Sequence, residues 1–248
     1  MKNNHTTQEK KTSRHSNTLV QVIRPDLIIP SGITELDQLC GGFKAGELTF
    51  IDGNSSLIAT LPDQLCASTY RIFHSQTIYI DAGMRANPYQ IARYARFLEL
   101  DQRDVLQNVL MSRAFTVYQL STILQDLLEP ILQEHRPRTL LIGMLPALYH
   151  DRELSSREAQ TLLLQDLQKI QQLTAAYQLI TVCTHLDTMP LSPSKDLGKT
   201  LYDNVTEIIR IKHIDQRISL ELYKKQKHAI LIRDANGQLR LEAFGMVN

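Results

Sequence analysis

Glycine is scarce in this sequence, at 10 of 248 residues, and loops that wrap phosphate groups depend on glycine. Only three cysteines occur, Cys40, Cys66 and Cys183, and their number and spacing favour reduced thiols of an intracellular protein over a disulfide framework or a metal site. No apolar run approaches the roughly 18 residues of a membrane span, and the N-terminus carries no signal-peptide apolar region. The formal net charge of +1 excludes a global field that attracts nucleic acid or membrane. Any such binding must come from a local patch.

The sequence does have enough apolar material for one α/β domain, since 43% of its residues are hydrophobic. Residues 1–18 contain no large aliphatic or aromatic side chain after Met1, which predicts a disordered, mildly basic tail. We therefore expect a polar tail over residues 1–18 and a single folded domain over residues 19–248.

Short apolar strands alternate with amphipathic helices along the folded part. Continuous apolar runs predict buried strands, which are 47–52, 77–81, 109–115, 139–146 and 179–186. This alternation predicts an α/β fold with a mostly parallel central sheet and helices on both faces. The apolar/polar alternation of "ISLELYKK" and the turn signal Asn236-Gly237 predict a C-terminal antiparallel hairpin.

The helices between these strands carry recognisable start and stop signals. A first helix with apolar residues at Ile33 and Leu36 should end at Gly41-Gly42. Asn87 is a candidate N-cap ahead of Pro88. Ser155 and Glu158 have capping-box spacing, and the helix that contains Pro130 should kink or end there.

Five segments, in this order, resemble the RecA/RadA recombinase superfamily, specifically the ATPase core of archaeal and eukaryotic recombinases and their paralogs. The resemblance covers residues 31–245 and implies a RecA-like P-loop NTPase core. The related KaiC-like branch shares the first segment, but "NVLMSRAF" favours the recombinase branch. The five segments are "SGITELDQLCGGFKAGELTFIDG", "YIDAGMRANPYQI", "DVLQNVLMSRAFTVYQL", "LLIGMLPALYHDRELSSREAQ" and "ITVCTHL".

The stretch "FIDGNSSLIAT" stands where this family has its phosphate loop. Gly53 matches the first glycine of that loop, and Thr60 retains a hydroxyl for Mg²⁺. Ile58 replaces the glycine that permits close backbone approach, and Ala59 replaces the lysine. Ser55, Ser56 and Thr60 are candidate donors to a phosphate at a helix N-terminus, although capping of the following helix is the favoured interpretation.

At three other positions, the residue that the family uses in ATP hydrolysis is also replaced. Gly143 stands where the magnesium-binding Asp is expected, Gly83 aligns with the water-activating Glu, and Leu186 aligns with the phosphate-sensing Gln. Each such electrostatic element typically contributes a factor of about 10² to 10⁵ in rate. We therefore predict a pseudo-ATPase with no catalytic residue, no metal site and no cofactor, while weak binding of ATP and magnesium is left open.

The resemblance also implies two DNA-facing loops. The first, "YHDRELSSREAQ", holds Arg152 and Arg157, with Tyr149 as its one ring, and the second, residues 187–200, holds Lys195 and Lys199. Neither loop is strongly basic. We therefore give equal weight to two interpretations, that the loops contact DNA and that they are ordinary solvated loops. At most, we expect weak, salt-sensitive binding of single-stranded DNA. The densest basic cluster, "YKKQKH" (223–228), is interpreted as a solvated hairpin end.

The leading hypothesis is a non-catalytic RecA/RadA-like paralog that serves as an accessory or scaffold protein in DNA recombination and repair. Its expected partner is a recombinase or another paralog in a hetero-complex, because the tail shows no Phe-x-x-A polymerisation motif. One rival is a nucleotide-binding or weakly active DNA-dependent ATPase that uses a displaced lysine such as Lys44 or a partner's lysine. A second rival is a KaiC-like regulatory adaptor without a DNA role. The expected location is cytoplasmic and nucleoid-associated in a prokaryote, or nuclear in a eukaryote, with no membrane partner.

Overall fold

The computed structural model describes residues 27–186, 196–215 and 217–232. Among these residues, eight strands form one sheet in the order β10-β9-β8-β3-β7-β6-β4-β5. Strands β8, β3, β7, β6, β4 and β5 run parallel, whereas β9 pairs antiparallel with both β8 and β10. The strands are β1 (Ile28–Ile29), β2 (Phe43–Lys44), β3 (Leu48–Gly53), β4 (Thr77–Asp81), β5 (Val109–Arg113), β6 (Thr139–Gly143), β7 (Ile180–Leu186), β8 (Glu207–Ile214), β9 (Arg217–Leu222) and β10 (Lys227–Ile232). This topology confirms the predicted α/β fold with its antiparallel C-terminal end.

Helices cover both faces of the sheet, and two hydrophobic cores result. The core on one face contains apolar side chains of α1 to α4, and the core on the other face contains those of α5 to α8. The central strands β3 and β6 are buried along their whole length, as their continuous apolar runs predict. The helices are α1 (Thr34–Cys40), α2 (Leu57–Phe73), α3 (Pro88–Phe97), α4 (Gln102–Gln107), α5 (Val117–Thr122), α6 (Leu128–His135), α7 (Ser156–Tyr177) and α8 (Asp196–Asp203).

Most of the predicted helix signals are confirmed. Helix α1 ends at Gly41, whose φ of 77° requires the left-handed region. Asn87 caps α3 by accepting the N–H of Tyr89 at 3.0 Å. The break near Pro130 takes the form of a π-helical turn, Ile123–Leu127, between α5 and α6. The proline lacks the N–H that would bond four residues back, so the ladder changes register just before it.

Three predicted features differ in the structure. Ser155 caps α7 by accepting the N–H of Glu158 at 3.2 Å, but the Glu158 carboxylate accepts the hydroxyl of Tyr118 at 2.8 Å and makes no reciprocal capping bond. The strand predicted to reach residue 146 ends at Gly143, because Met144 adopts left-handed backbone and a 3₁₀ segment, Leu145–His150, follows. The strand predicted over 109–115 likewise ends at Arg113.

The C-terminal hairpin turns earlier than its strongest sequence signal. Strands β9 and β10 are joined by a turn over residues 223–226, next to the alternating strand that the sequence predicts. The Asn236-Gly237 turn signal lies outside the described residues.

Candidate functional site

The ends of β3, β4, β6 and β7 lie together at the carboxyl edge of the sheet. The site positions predicted from the sequence lie at this same edge. Gly53 ends β3 and pairs with Leu186 at the end of β7. Gly143 ends β6, between Asp81 of β4 and Thr184 of β7. Gly83 follows β4 by two residues. The fold therefore assembles the predicted set at the edge where open α/β sheets bind ligands.

The segment at the phosphate-loop position forms a tight turn of three residues, 54–56, before α2 begins at Leu57. The N–H of Leu57 donates to the buried Ser55 Oγ at 3.4 Å. The next two N–H groups, of Ile58 and Ala59, donate to the carbonyls of Ser55 and Ser56 at 3.1 and 3.2 Å. Three of the amides that could contact a phosphate, those of Leu57, Ile58 and Ala59, are therefore engaged within the turn itself.

The side chains of this turn also have local roles. Ile58 is fully buried in the core beneath α2. Thr60 Oγ1 donates to the Leu57 carbonyl at 3.3 Å. Ser55 supplies the capping oxygen, whereas Ser56, the N-cap residue, makes no side-chain cap bond. The favoured capping interpretation thus applies to Ser55 and fails for Ser56 and Thr60.

Gly53 is required by its neighbouring strand. Its φ is 137°, and a Cβ at this position would lie 2.1 Å from the carbonyl oxygen of Ile211 on β8. The next residue, Asn54, extends this contact, because its side-chain Oδ1 accepts the N–H of His213 at 2.6 Å and its Nδ2 donates to the His213 carbonyl at 3.4 Å. Close packing against β8 therefore accounts for the glycine without a ligand.

Met144 occupies the centre of the candidate site. Its backbone lies in the left-handed region, with φ of 60°, which is strained for a residue with a Cβ. A Cβ on Gly83 would lie 2.3 Å from Met144 Cγ, so the methionine side chain packs directly against Gly83. The N–H of Leu186 donates to Met144 Sδ at 3.2 Å, and the Met144 N–H donates to Thr184 Oγ1 at 3.4 Å. One apolar side chain thus fills the junction of Gly83, Gly143 and Leu186.

Asp81 organises the loop that carries Gly83. It is fully buried and accepts the N–H groups of Gly83, Arg85 and Ala86 at 3.0 to 3.2 Å. Its Oδ2 also lies 3.4 Å from Arg113 Nε. The carboxylate is neutralised by this arginine and by backbone dipoles, so it acts as a structural anchor.

Asp63 lies close to this anchor and is a residue that the sequence analysis missed. It is buried within α2 and accepts the N–H of Asn87 at 3.3 Å. Burial raises the pKa of Asp63 to about 7, against the hydrogen bond from Asn87 and with a further rise from the negative charge of Asp81. Its spacing gives no functional signal, because Asp63 appears in the sequence as one polar residue in an apolar helix.

A second buried acid, Asp52, links the site to the antiparallel end of the sheet. Its carboxylate accepts the Tyr202 hydroxyl from α8 and lies 3.5 Å from Arg210 Nε on β8. Burial raises the pKa of Asp52, while Tyr202 and Arg210 act to lower it. His185 pairs with Asp52 across β7 and β3 and is also buried.

Lys44 lies too far from the phosphate-loop position to replace the lysine that is missing there. Lys44 lies on β2, ahead of β3, while the tight turn follows the far end of β3. Strand β3 has six residues, which span on the order of 17 Å from first to last. Lys44 therefore lies at the opposite edge of the sheet from Thr60.

The candidate DNA contacts are only partly brought together. Arg152 and Arg157 are exposed near the start of α7, and Lys199 is exposed on α8. Tyr149, expected to supply a ring at the first loop, is instead buried, and its hydroxyl donates to Asp166 at 2.6 Å. The stacking role is therefore wrong for Tyr149. Lys195 lies outside the described residues.

Within residues 27–186, 196–215 and 217–232, no group of three His, Cys, Asp or Glu residues is placed to hold a metal ion. No helix in the same ranges is long and apolar enough to cross a membrane.

A family model matches most of the sequence that forms this site. No curated protein matches the chain significantly. The family model named Rad51 matches residues 24–190, which is more than half of the chain and includes α1, the tight turn, Met144 and α7. With the sheet order described above, this match shows that the chain belongs to the Rad51 family of RecA/RadA-like recombinases.

Proposed function

We propose that the chain is a non-catalytic member of its family that acts in recombination and repair as an accessory or scaffold protein. The observation that carries the proposal is the packing of Met144 into the junction of Gly83, Gly143 and Leu186. In ATP hydrolysis this junction would have to hold a magnesium ion and an activated water. A thioether and two glycines supply no carboxylate ligand and no general base there.

The tight turn supports the same proposal from the other side of the site. Its first three helical amides are bonded within the turn, and Ala59 supplies no cation. A phosphate held by these amides would have to break the bonds that they make within the turn. The free energy needed to open the turn therefore opposes nucleotide binding. This obstacle is separate from the loss of catalytic groups.

A direct test measures nucleotide binding and turnover together. The full chain is titrated with a fluorescent ATP analogue and Mg²⁺, and phosphate release is followed separately, with an active recombinase from the same host as the positive control. The proposal expects no binding at micromolar analogue and no phosphate release above background. Binding with a Kd below about 10 μM, corresponding to roughly −7 kcal/mol, together with turnover, would overturn it.

The proposed partner is a recombinase or another paralog, and the surface that supports it is the outer edge of β5. Among the described strands, β5 pairs with β4 alone, so one side of its backbone is open to pair with another chain. Met111, Phe115 and Tyr118 near this edge are 36%, 60% and 56% exposed. An open strand edge beside exposed apolar side chains is typical of a protein docking surface.

Association with the host recombinase can be tested by native mass spectrometry of the mixed proteins. Phe115→Asp should weaken the complex at least tenfold, because a charge would have to be buried beside the pairing edge. Ile230→Asp is a matched control, since Ile230 is 59% exposed but lies on β10 at the opposite end of the sheet. Equal loss of the complex in both variants would contradict docking at β5.

Phosphate release and single-stranded DNA binding, measured with and without the host recombinase, distinguish the rival functions. A weakly active ATPase would need a lysine from a partner, so phosphate release should appear only when the recombinase is present and should persist when that recombinase carries its own inactive site. A KaiC-like adaptor without a DNA role would bind protein partners normally but leave single-stranded DNA unbound even at low salt.

A further inference from the structure

Helices α1, α2 and α3 border a cleft on the face of the sheet opposite to α7. We name it the α2 cleft. Its volume is about 310 Å³, at the lower end of the range for small-molecule sites. Four α2 residues line it, and their spacing of three and four places them on one face of the helix. These residues are Gln64, Ser68, Arg71 and Ile72.

Two polar side chains of this helical face are more than nine-tenths buried and have hydrogen-bonding capacity left for a ligand. Gln64 and Ser68 are each 8% exposed. The Gln64 Nε2 donates to the Ser31 carbonyl at 3.0 Å, which orients the amide and leaves Oε1 as an acceptor. The Ser68 hydroxyl makes no hydrogen bond within the described part of the chain. Because buried polar groups are normally paired, these atoms point to a ligand with hydrogen-bonding groups.

A carboxylate lies at the Gln64 end of the α2 cleft. Asp37 accepts the N–H groups of Ser31 and Gly32 at 2.6 and 3.2 Å, and Gly32 packs directly against the Gln64 amide. Asp37 makes no ion pair among residues 27–186, 196–215 and 217–232. Burial raises the pKa of Asp37, although the hydrogen bonds from Ser31 and Gly32 act to lower it. A bound cation would offset this desolvation of the carboxylate.

The other end of the α2 cleft carries a positive charge and an apolar wall. Arg71 is exposed and forms no ion pair with any residue that the structure describes. A helix rises about 1.5 Å per residue, so Arg71 lies about 10 Å along α2 from Gln64, and its Cα–Cβ bond tilts back toward Gln64. The apolar wall comes from α3 and its C-cap, as Tyr94, Phe97 and Leu98.

We infer that the α2 cleft binds a free apolar α-amino acid as a zwitterion, with its ammonium group on Asp37, its carboxylate on Arg71 and its side chain against α3. A ligand with only a positive charge would leave Arg71 without a partner, and a ligand with only a negative charge would face the carboxylate of Asp37. The end of a polypeptide carries one of these two charges, whereas a free amino acid carries both. The small volume of the cleft also limits the ligand to a small molecule.

The α2 cleft is separate from the candidate nucleotide site. Both use α2, but Ser68 lies about 16 Å along the helix from Leu57 at the tight turn. The inference therefore goes beyond the proposed function, and it requires neither ATP chemistry nor a nucleic-acid contact.

The test is isothermal titration calorimetry of the full chain with free phenylalanine, tyrosine, leucine, isoleucine and methionine, each titrated separately. At least one of them should saturate the chain with a Kd below about 1 mM. The amide of that amino acid mimics the N-terminal residue of a polypeptide, and its N-acetyl form mimics the C-terminal residue. Each should bind at least about fivefold more weakly, because each lacks one charged contact. Saturation by none of the five would overturn the inference, and equally tight binding of either derivative would overturn it in favour of a polypeptide end.

Three variants connect binding to the α2 cleft. Arg71→Gln should weaken binding of the amino acid at least about fivefold but leave binding of its amide unchanged, because the amide has no carboxylate. Arg93→Gln is the matched control, since it removes the same charge from an exposed position on α3 outside the lining. Ser68→Ala should weaken binding about threefold without lowering the urea midpoint, because the hydroxyl bonds to no described protein group.

Equal losses of binding in Arg71→Gln and Arg93→Gln, or unchanged binding in Ser68→Ala, would overturn the inference. These titrations contain no nucleotide, so the inference and the proposed function can fail independently.

Discussion

Replacement of Gly53 by alanine tests whether the surviving glycine of the phosphate-loop position serves the fold or a ligand. In the structure its φ of 137° lies outside the range that L residues adopt readily, and the new Cβ would lie 2.1 Å from the Ile211 carbonyl oxygen. Both features act on the folded protein with no ligand present. Gly53→Ala should therefore destabilise the free chain strongly.

The magnitude follows from two separate contributions. Backbone strain at a disfavoured φ costs about 1 to 3 kcal/mol. Relief of the contact with Ile211 requires β3 and β8 to shift apart, and comparable overpacking costs about 1 to 3 kcal/mol. The sum, about 2 to 6 kcal/mol, is a large part of the 5 to 15 kcal/mol that is typical of a domain.

The assay is urea unfolding followed by circular dichroism, with Gly41→Ala as the matched control. Gly41 also has a positive φ, of 77°, but nothing lies within 4 Å of a Cβ there, so this variant should lose only about 1 kcal/mol. The reasoning predicts that Gly53→Ala loses at least 1 to 2 kcal/mol more than the control. Equal losses in the two variants would refute the account of Gly53.

Three other changes have defined outcomes. Burial raises the pKa of Asp63 from 3.8 to about 7, so the free energy of unfolding should fall as pH rises from 4 through 7. Urea titrations at several pH values measure this fall, and Asp63→Asn should remove up to about 4 kcal/mol of it. Ile58→Gly with Ala59→Lys, which restores the motif, should lose at least about 2 kcal/mol because Ile58 is fully buried. It should still release no phosphate from ATP, because Met144 is unchanged and its junction with Gly83 and Gly143 supplies no magnesium ligand and no general base. Tyr149→Phe should lose about 1.5 to 3 kcal/mol in the same unfolding assay, because the buried carboxylate of its partner on α7 loses its shortest hydrogen bond.

The sequence predicts the fold well where local rules decide the outcome. Continuous apolar runs mark β3 and β6 as buried, and Asn87 and Ser155 cap their helices as their residue types predict. The convergence of Gly83 and Gly143 is also predictable, because parallel strands end at one edge of the sheet.

Contacts between distant side chains could not be predicted in the same way. The left-handed backbone of Met144 and its packing on Gly83 depend on three strand ends that meet only in the folded chain. The sequence predicts Tyr149 as an aromatic residue of an exposed loop. In the structure its hydroxyl donates to the buried carboxylate of Asp166 on α7, and its ring is buried as well. Lys199 on α8 and Tyr223 after β9 are far apart in the sequence, yet they line one recess in the folded chain.

The central claim, a Rad51-family core without ATP chemistry, is tested most directly by titration of the full chain alone with Mg²⁺ and a fluorescent ATP analogue. The account predicts no saturation at up to about 1 mM analogue, weaker than −4.1 kcal/mol, and no phosphate release. Saturation with a Kd below about 10 μM, with turnover that Thr60→Ala abolishes, would contradict it.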